Sequence, residues 1–184
     1  MNEQKNKNAL PDVIAYRLRV LFVGYNPGIQ SALTGHHYAN KSNRFWRLLF
    51  DAGITPYIFK PEEDIKLLDL GLGSTNIVAR PTKSSSEISS YEFRKGAEAL
   101  AKLVIEIKPG IICYVGFGVY RAFASCILKI SPNKVQIIKG VQQNNLIEGV
   151  TDFVCSNPSG LNTIPYSEQL ECFKRLNELL DPKK

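Results

Sequence analysis

A chain of 184 residues, 44% hydrophobic and 22% charged, is long enough to bury a substantial core and reads as one domain of ordinary soluble composition. It holds no apolar run of the about 20 residues that a membrane span needs, and no signal-type apolar segment, so an intracellular enzyme or binder is expected, cytoplasmic in a prokaryote and nuclear in a eukaryote. The formal charge of +6 suits a polyanionic partner, but Lys5, Lys7, Arg17, Arg19, Arg44, Arg47, Lys129, Lys134 and Lys139 are scattered, which a solvated basic surface explains equally well.

Residues 1–9, MNEQKNKNA, are polar and rich in Asn and Lys, and are expected to form a mobile tail before a single domain over 10–184. From Leu18 to Gly24 a continuous apolar run predicts a strand of a parallel sheet covered on both faces. Asn26-Pro27-Gly28 follows, delivering a polar amide to the C-terminal edge of that sheet, where Gly28 permits close backbone approach. Ser42 or Asn43 is placed to cap a helix with Phe45, Leu48, Leu49 and Ala52 on one face, ended by Gly53. A short helix is expected near Glu62–Leu68, and 71–86 (GLGSTNIVARPTKSSS) as a loop or short strand of the kind that carries sites.

Ser89 and Glu92 have capping-box spacing, and Phe93, Ala97, Leu100, Val104 and Ile107 then repeat at steps of four and three, which predicts the clearest helix of the chain. Residues 111–116 read as the next strand and Phe117–Leu128 as its helix. Val135–Ile138 and Asp152–Ser156 are further predicted strands, and Pro165 suits the first turn of a terminal helix with a stripe of Leu170, Phe173, Leu176 and Leu180. Strands alternating with helices imply right-handed crossovers and an α/β fold with a parallel or mixed sheet.

The four cysteines, Cys113, Cys126, Cys155 and Cys172, form no C-x-x-C pair and read as thiols packed in strands and helices, so no metal is expected. GLGSTN and GFGVYR lack the third glycine of a dinucleotide fingerprint, and neither a phosphate-binding G-x-x-x-x-G-K-[ST] loop nor a G-x-S-x-G elbow occurs. What stands out is a pair of strand-to-loop junctions, VGYNPG and CSNPSG, with the only two histidines, His36 and His37, and Tyr38 after the first. Either junction alone is a turn for generic reasons. Together they converge on one site.

With VGYNPG, GHHYANKSNRFWRLLFDAG, GLGSTNIVARPT, EFRKGAEAL and NPSGLN in that order, the chain from Leu10 into the terminal helix closely resembles the mismatch-specific uracil/thymine DNA glycosylases of the uracil-DNA glycosylase superfamily. The resemblance implies a three-layer α/β/α sandwich on a mainly parallel central sheet, without metal or organic cofactor. It implies monofunctional hydrolysis of the N-glycosidic bond of a flipped base, uracil from U·G mismatches above all, to leave an abasic site. The expected partner is double-stranded DNA containing uracil or a mismatched or damaged base, met by a monomer away from any membrane.

The resemblance also assigns roles. Asn26 matches the catalytic asparagine, whose amide orients a water toward C1′ without titrating. Thr82 matches a threonine that helps hold that water, though a threonine after proline also orders its own loop. Tyr38 matches the aromatic on which the base stacks, a role that a core tyrosine would mimic in sequence. His37 either hydrogen-bonds the base or leaving group or packs its loop. Asn76 matches the reader of the base edge, since an amide offers both donor and acceptor. Tyr25 and Gly28 complete the base pocket.

Ser31 matches a position near the base's C5, serine in the uracil-preferring bacterial branch and alanine in the thymine-processing one, which favours uracil. Ser159, Gly160, Leu161 and Asn162 match the loop that enters the duplex, with Leu161 as the wedge. Thr163 departs from the family's arginine, which implies that a phosphate or orphan-base interaction is missing. That departure keeps a catalytically weak or silent DNA-damage binder on the same fold as the alternative, with an unrelated small-ligand protein as a third reading.

Overall fold

Five consecutive residues of β1 (Val20–Gly24) are buried, and their alternation splits them between two cores. Val20 and Phe22 join one apolar cluster, Leu21 and Val23 the other, because successive side chains of a strand point to opposite faces. The computed structural model describes residues 10–181, and the expected tail over 1–9 lies outside the described residues. β1 pairs with β2 (Leu72–Asn76) and β3 (Ile111–Val115), and β3 with β5 (Thr151–Cys155), all parallel. β4 (Gly140–Val141) pairs antiparallel with β5, giving the order β2-β1-β3-β5-β4.

On one face lie α2 (Phe45–Asp51) and α5 (Tyr166–Leu180), which supply Phe45, Leu48, Leu49, Phe173 and Leu176 to the first core. On the other lie α3 (Ser90–Ile107) and α4 (Phe117–Leu128), with Ala97, Leu100, Val104, Val119 and Phe123 in the second. The fold is therefore a three-layer α/β/α sandwich. The α3 capping box forms as its spacing predicts: Glu92 N–H donates to Ser89 Oγ at 3.2 Å, and Ser89 N–H to Glu92 Oε2 at 3.0 Å. No helix among the described residues is long and apolar enough to cross a membrane.

Two local outcomes differ from the sequence expectation, the segment Val135–Ile138 and an added helix after Gly28. Val135–Ile138 is not a strand: the Gln142 side chain accepts from Ile138 N–H at 3.2 Å and donates to Ile138 C=O at 2.7 Å. Those are the backbone groups that a neighbouring strand would use, and the edge strand falls instead at Gly140–Val141. The short helix expected near Glu62–Leu68 is present, in 3₁₀ form, over Pro61–Leu70. A six-residue helix, α1 (Ile29–Thr34), follows Gly28 and ends at Gly35, whose φ is 75°.

α3 rides unusually close to the chain leaving β2. A Cβ on Gly96 would stand 1.8 Å from the Ile77 carbonyl oxygen, so the missing side chain is what lets the helix press on the residue after Asn76. Gly96→Ala is expected to destabilise the protein by about 1–3 kcal/mol, the usual effect of overpacking. It should appear as a lower urea midpoint at unchanged m-value; an unchanged midpoint would contradict this packing.

Candidate active site

β2 and β1 lie to one side of the centre of the sheet, β5 and β4 to the other, so the chain reverses its direction of travel between β1 and β3. Crevices at such switch points, off the carboxyl ends of parallel strands, are where α/β sheets bind ligands. A cavity of about 600 Å³ opens there. Asn26, Asn76 and Asn157 enter it from the ends of β1, β2 and β5, together with Tyr25, Gly28, Ser31, His37, Tyr38, Thr82 and Ser159–Asn162. The residues to which the resemblance assigns a catalytic, base-pocket or wedge role thus line one cavity, whereas His36 and Thr163 are not in its lining. Among the described residues no carboxylate lines the cavity, and Lys83 is its one lysine or arginine.

The β1–β2 ladder runs on past both strands. Ile77 N–H bonds Gly24 C=O and Val78 N–H bonds Tyr25 C=O, both at 2.9 Å, and Thr82 N–H reaches Pro27 C=O at 3.2 Å. Within this extension the Asn26 Nδ2 group donates to Thr82 Oγ1 at 2.8 Å, Pro27 C=O at 3.1 Å and Arg80 C=O at 3.2 Å. Two of these acceptors are carbonyls, so the amide can sit only with nitrogen inward. Oδ1 takes no hydrogen bond from the described residues and is left as a fixed acceptor. The Thr82 hydroxyl donates in turn to Ser84 C=O at 2.8 Å. With its hydrogen used and Asn26 bound, Thr82 orients the asparagine.

Tyr38 has a left-handed backbone, φ 53°, and one face of its ring lies on Phe45, centroids 3.7 Å apart and planes at 19°. The same residue lines the cavity. Ser31 is buried and its Oγ accepts Ala39 N–H at 3.1 Å, fixing the turn that carries Tyr38. Asn76 makes no side-chain hydrogen bond with the described residues, so its donor and acceptor are both unspent; its Oδ1 lies so close to Gly24 that a Cβ there would stand 2.7 Å away. Gly28 is extended, φ −68°, and an added Cβ would meet nothing within 4 Å. The fold does not require glycine here, and the open space lies on the cavity side.

His37 is 2% exposed and both ring nitrogens are engaged. Nε2 lies 3.0 Å from Pro11 C=O, which can only accept, so Nε2 carries the proton. Nδ1 then receives the Ser74 hydroxyl at 3.0 Å. Burial pushes the imidazole pKa below its usual value, against the opposing pull of the Pro11 carbonyl, Asp64 and Asp12. Its backbone N–H is held by Asp64 Oδ2 at 2.8 Å. No ring nitrogen is left over for a base, and the geometry is that of a brace.

The second junction is a pre-formed loop. Asn157 Oδ1 accepts Ser159 N–H at 2.8 Å, Asn157 C=O accepts Asn162 Nδ2 at 2.5 Å, and Asn162 Oδ1 accepts Ile164 N–H at 3.0 Å. Gly160 packs so tightly on the 39–43 turn that a Cβ would stand 2.5 Å from Ser42 Cβ. From this support Leu161 projects 92% exposed. Thr163, two residues on, is exposed and its side chain makes no hydrogen bond among the described residues. Sequence reasoning missed Lys83 and Asn157 as lining residues; their adjacency to Thr82 and to the second Asn-Pro was the available signal.

Residues 11–181 match the family model described as the uracil DNA glycosylase superfamily. Among solved structures, the chain is similar to the solution NMR structure of a "putative uracil DNA glycosylase" from Methanosarcina acetivorans. Identity is 21% and the TM-score 0.59, with 93% of this chain and 98% of that one covered. That likeness is one of fold.

The lowered pKa of His37 has a defined sign in stability. In the unfolded chain the imidazole takes a proton near its ordinary pKa of about 6.5, whereas the buried ring resists protonation. Stability is therefore full above that pH and falls as pH drops toward the lowered folded value, by up to about 1.4 kcal/mol per pH unit. Urea titrations between about pH 7 and pH 5 should show this slope reduced in His37→Gln; an identical slope in the variant would place the pH dependence elsewhere.

Proposed function

The chain belongs to the uracil DNA glycosylase superfamily, and from that premise we propose that it is a monofunctional glycosylase acting on uracil in double-stranded DNA, U·G mismatches preferred. It hydrolyses the N-glycosidic bond and leaves an abasic site for base excision repair. The observation that carries this reading is the Asn26 carboxamide, locked with Nδ2 on three acceptors, while among the described residues Oδ1 takes no hydrogen bond and no carboxylate lines the cavity.

A water held by Asn26 Oδ1 needs only orientation if the sugar becomes oxocarbenium-like while the base departs as a resonance-stabilised anion. A cavity free of carboxylates does not repel that anion, and the Lys83 ammonium at its lip attracts it. The extruded base stacks on Tyr38 and offers its edge to Asn76, and Leu161 fills the vacated stack. His37 acts as a positioning residue, holding the turn that bears Tyr38. Ser31 stands where a C5 methyl would crowd, which disfavours thymine.

One observation favours a weaker enzyme or a silent damage binder: the exposed residue two places beyond the wedge, Thr163, is uncharged where the family resemblance implies an arginine. A U·G oligonucleotide incubated with excess protein and then treated with alkali separates the readings. Strand breaks are expected, and their absence at stoichiometric enzyme would leave only the binder. Asn26→Ala should keep duplex binding and lose about 10²–10³-fold in single-turnover cleavage, as removal of one preorganised polar group does; a variant as fast as the parent would displace the chemistry from Asn26. Release of uracil from U·G should outpace release of thymine from T·G, and equal rates would remove Ser31 as the gauge.

A further inference from the structure

A second cavity, of about 520 Å³, lies between α3 and α4 and shares one wall with the first, the Tyr25 side chain. Its other lining is Phe93, Ala122, Cys126 and Pro132, with the hydroxyls of Ser90 and Ser125 and the guanidinium-bearing Arg94 and Arg121. The proposed reaction uses none of these except Tyr25.

Two guanidinium groups, Arg94 and Arg121, line the cavity together. Neither Arg94 nor Arg121 takes part in an ion pair or side-chain hydrogen bond among the described residues, and no acidic side chain lines the cavity. Nearby cations are neutralised otherwise: Arg80 is paired with Glu92 at 2.7 Å and Lys95 with Glu98 at 3.1 Å. Two like charges facing one apolar cavity repel each other unless an anion stands between them, and a guanidinium fork suits a phosphate. Beside them lie aromatic walls, Tyr25 edge-on to Phe93 at 5.5 Å, against which a flat ring can pack. The volume is that of a site for one small ligand.

We propose that the α3–α4 cavity is a second nucleotide-unit site, holding a phosphate between Arg94 and Arg121 and a flat base against Phe93 and Tyr25. The occupant is either a nucleotide of the bound DNA near the flipped one or a free mononucleotide. The choice of ligand class rests on the proposed DNA-glycosylase reading, whereas the site itself rests on the cavity. Because Tyr25 Oη lies where a Gly118 Cβ would stand 1.4 Å away, the ring is wedged between α4 and Phe93. A ligand on one side of it bears directly on the wall of the Asn26 cavity.

Cys126 gives a test that does not depend on cleavage. It is half-buried and lines this cavity, while Cys113, Cys155 and Cys172 are buried in the core, so a maleimide added to the folded protein should label Cys126 first. Labelling rates are measured with dTMP in one arm and with a uracil-free single-stranded oligonucleotide in the other. Saturable protection by either probe is expected, weakened about tenfold or more in Arg94→Ala/Arg121→Ala, since each substitution removes a charge-assisted hydrogen bond to the phosphate. Both substitutions are at exposed helical positions, so the fold is kept. Protection by dTMP identifies a free-nucleotide site, and protection by the oligonucleotide alone identifies a DNA subsite. No protection by either, or protection unchanged in the double variant, overturns the proposal. Failure of the U·G cleavage assay would leave this readout intact.

Discussion

The site depends on one carboxamide held in one orientation. Asn26 Nδ2 is surrounded by two backbone carbonyls and the Thr82 hydroxyl, so a flip would set Oδ1 against oxygens that cannot donate. None of these acceptors is near Asn26 in sequence except Pro27. They arrive because β1 and β2 are parallel neighbours whose ladder continues beyond both strands, through Ile77, Val78 and Thr82. The Asn26 geometry is thus an extension of sheet hydrogen bonding, which is among the stiffest supports that a loop can have. α3 contributes by pressing Gly96 onto Ile77, which fixes the strand exit from the other side.

Carboxylates are present near the cavity but are turned to structural use. Asp64 is buried, its oxygens taken by His37 N–H and by the His36 ring, and Asp12 accepts the Thr75 hydroxyl at 2.6 Å. Neither lines the cavity. The consequence is an environment of amides, hydroxyls and aromatic faces with a single lysine. On the proposed reading, such a lining suits departure of a stabilised anion with a positioned water.

Much of this was legible in the sequence where the physical signal is periodic. The apolar runs of β1, β3 and β5 and the capped stripe of α3 follow from burial and from the Ser89–Glu92 spacing. β2 was legible only as a loop or short strand, because Gly73, Ser74 and Thr75 do not look like core residues. Ser74 and Thr75 are nonetheless buried, with their hydroxyls satisfied by His37 and Asp12, and no local pattern announces partners so distant. The two-residue β4 and six-residue α1 are shorter than any periodicity that could reveal them. Within the site, Asn26, Thr82 and Leu161 stand in motifs, whereas the engagement of both His37 nitrogens and the stacking of Tyr38 on Phe45 exist only after folding.

On the proposed reading, the rigidity of the 157–164 loop bears on which lesions are opened. Its hydrogen bonds and the Gly160–Ser42 packing leave Leu161 exposed before any DNA arrives, so little ordering cost is added on binding. Burying a leucine side chain contributes about 1.5–3 kcal/mol, whereas unstacking and unpairing a nucleotide costs a few kcal/mol. The wedge therefore roughly balances extrusion of a well-paired base and prevails where pairing is already weak. With no cation at Thr163 to strengthen the grip on the duplex, the balance is left close to even, and discrimination for mismatches follows from the energetics of opening rather than from direct reading of the opposite base.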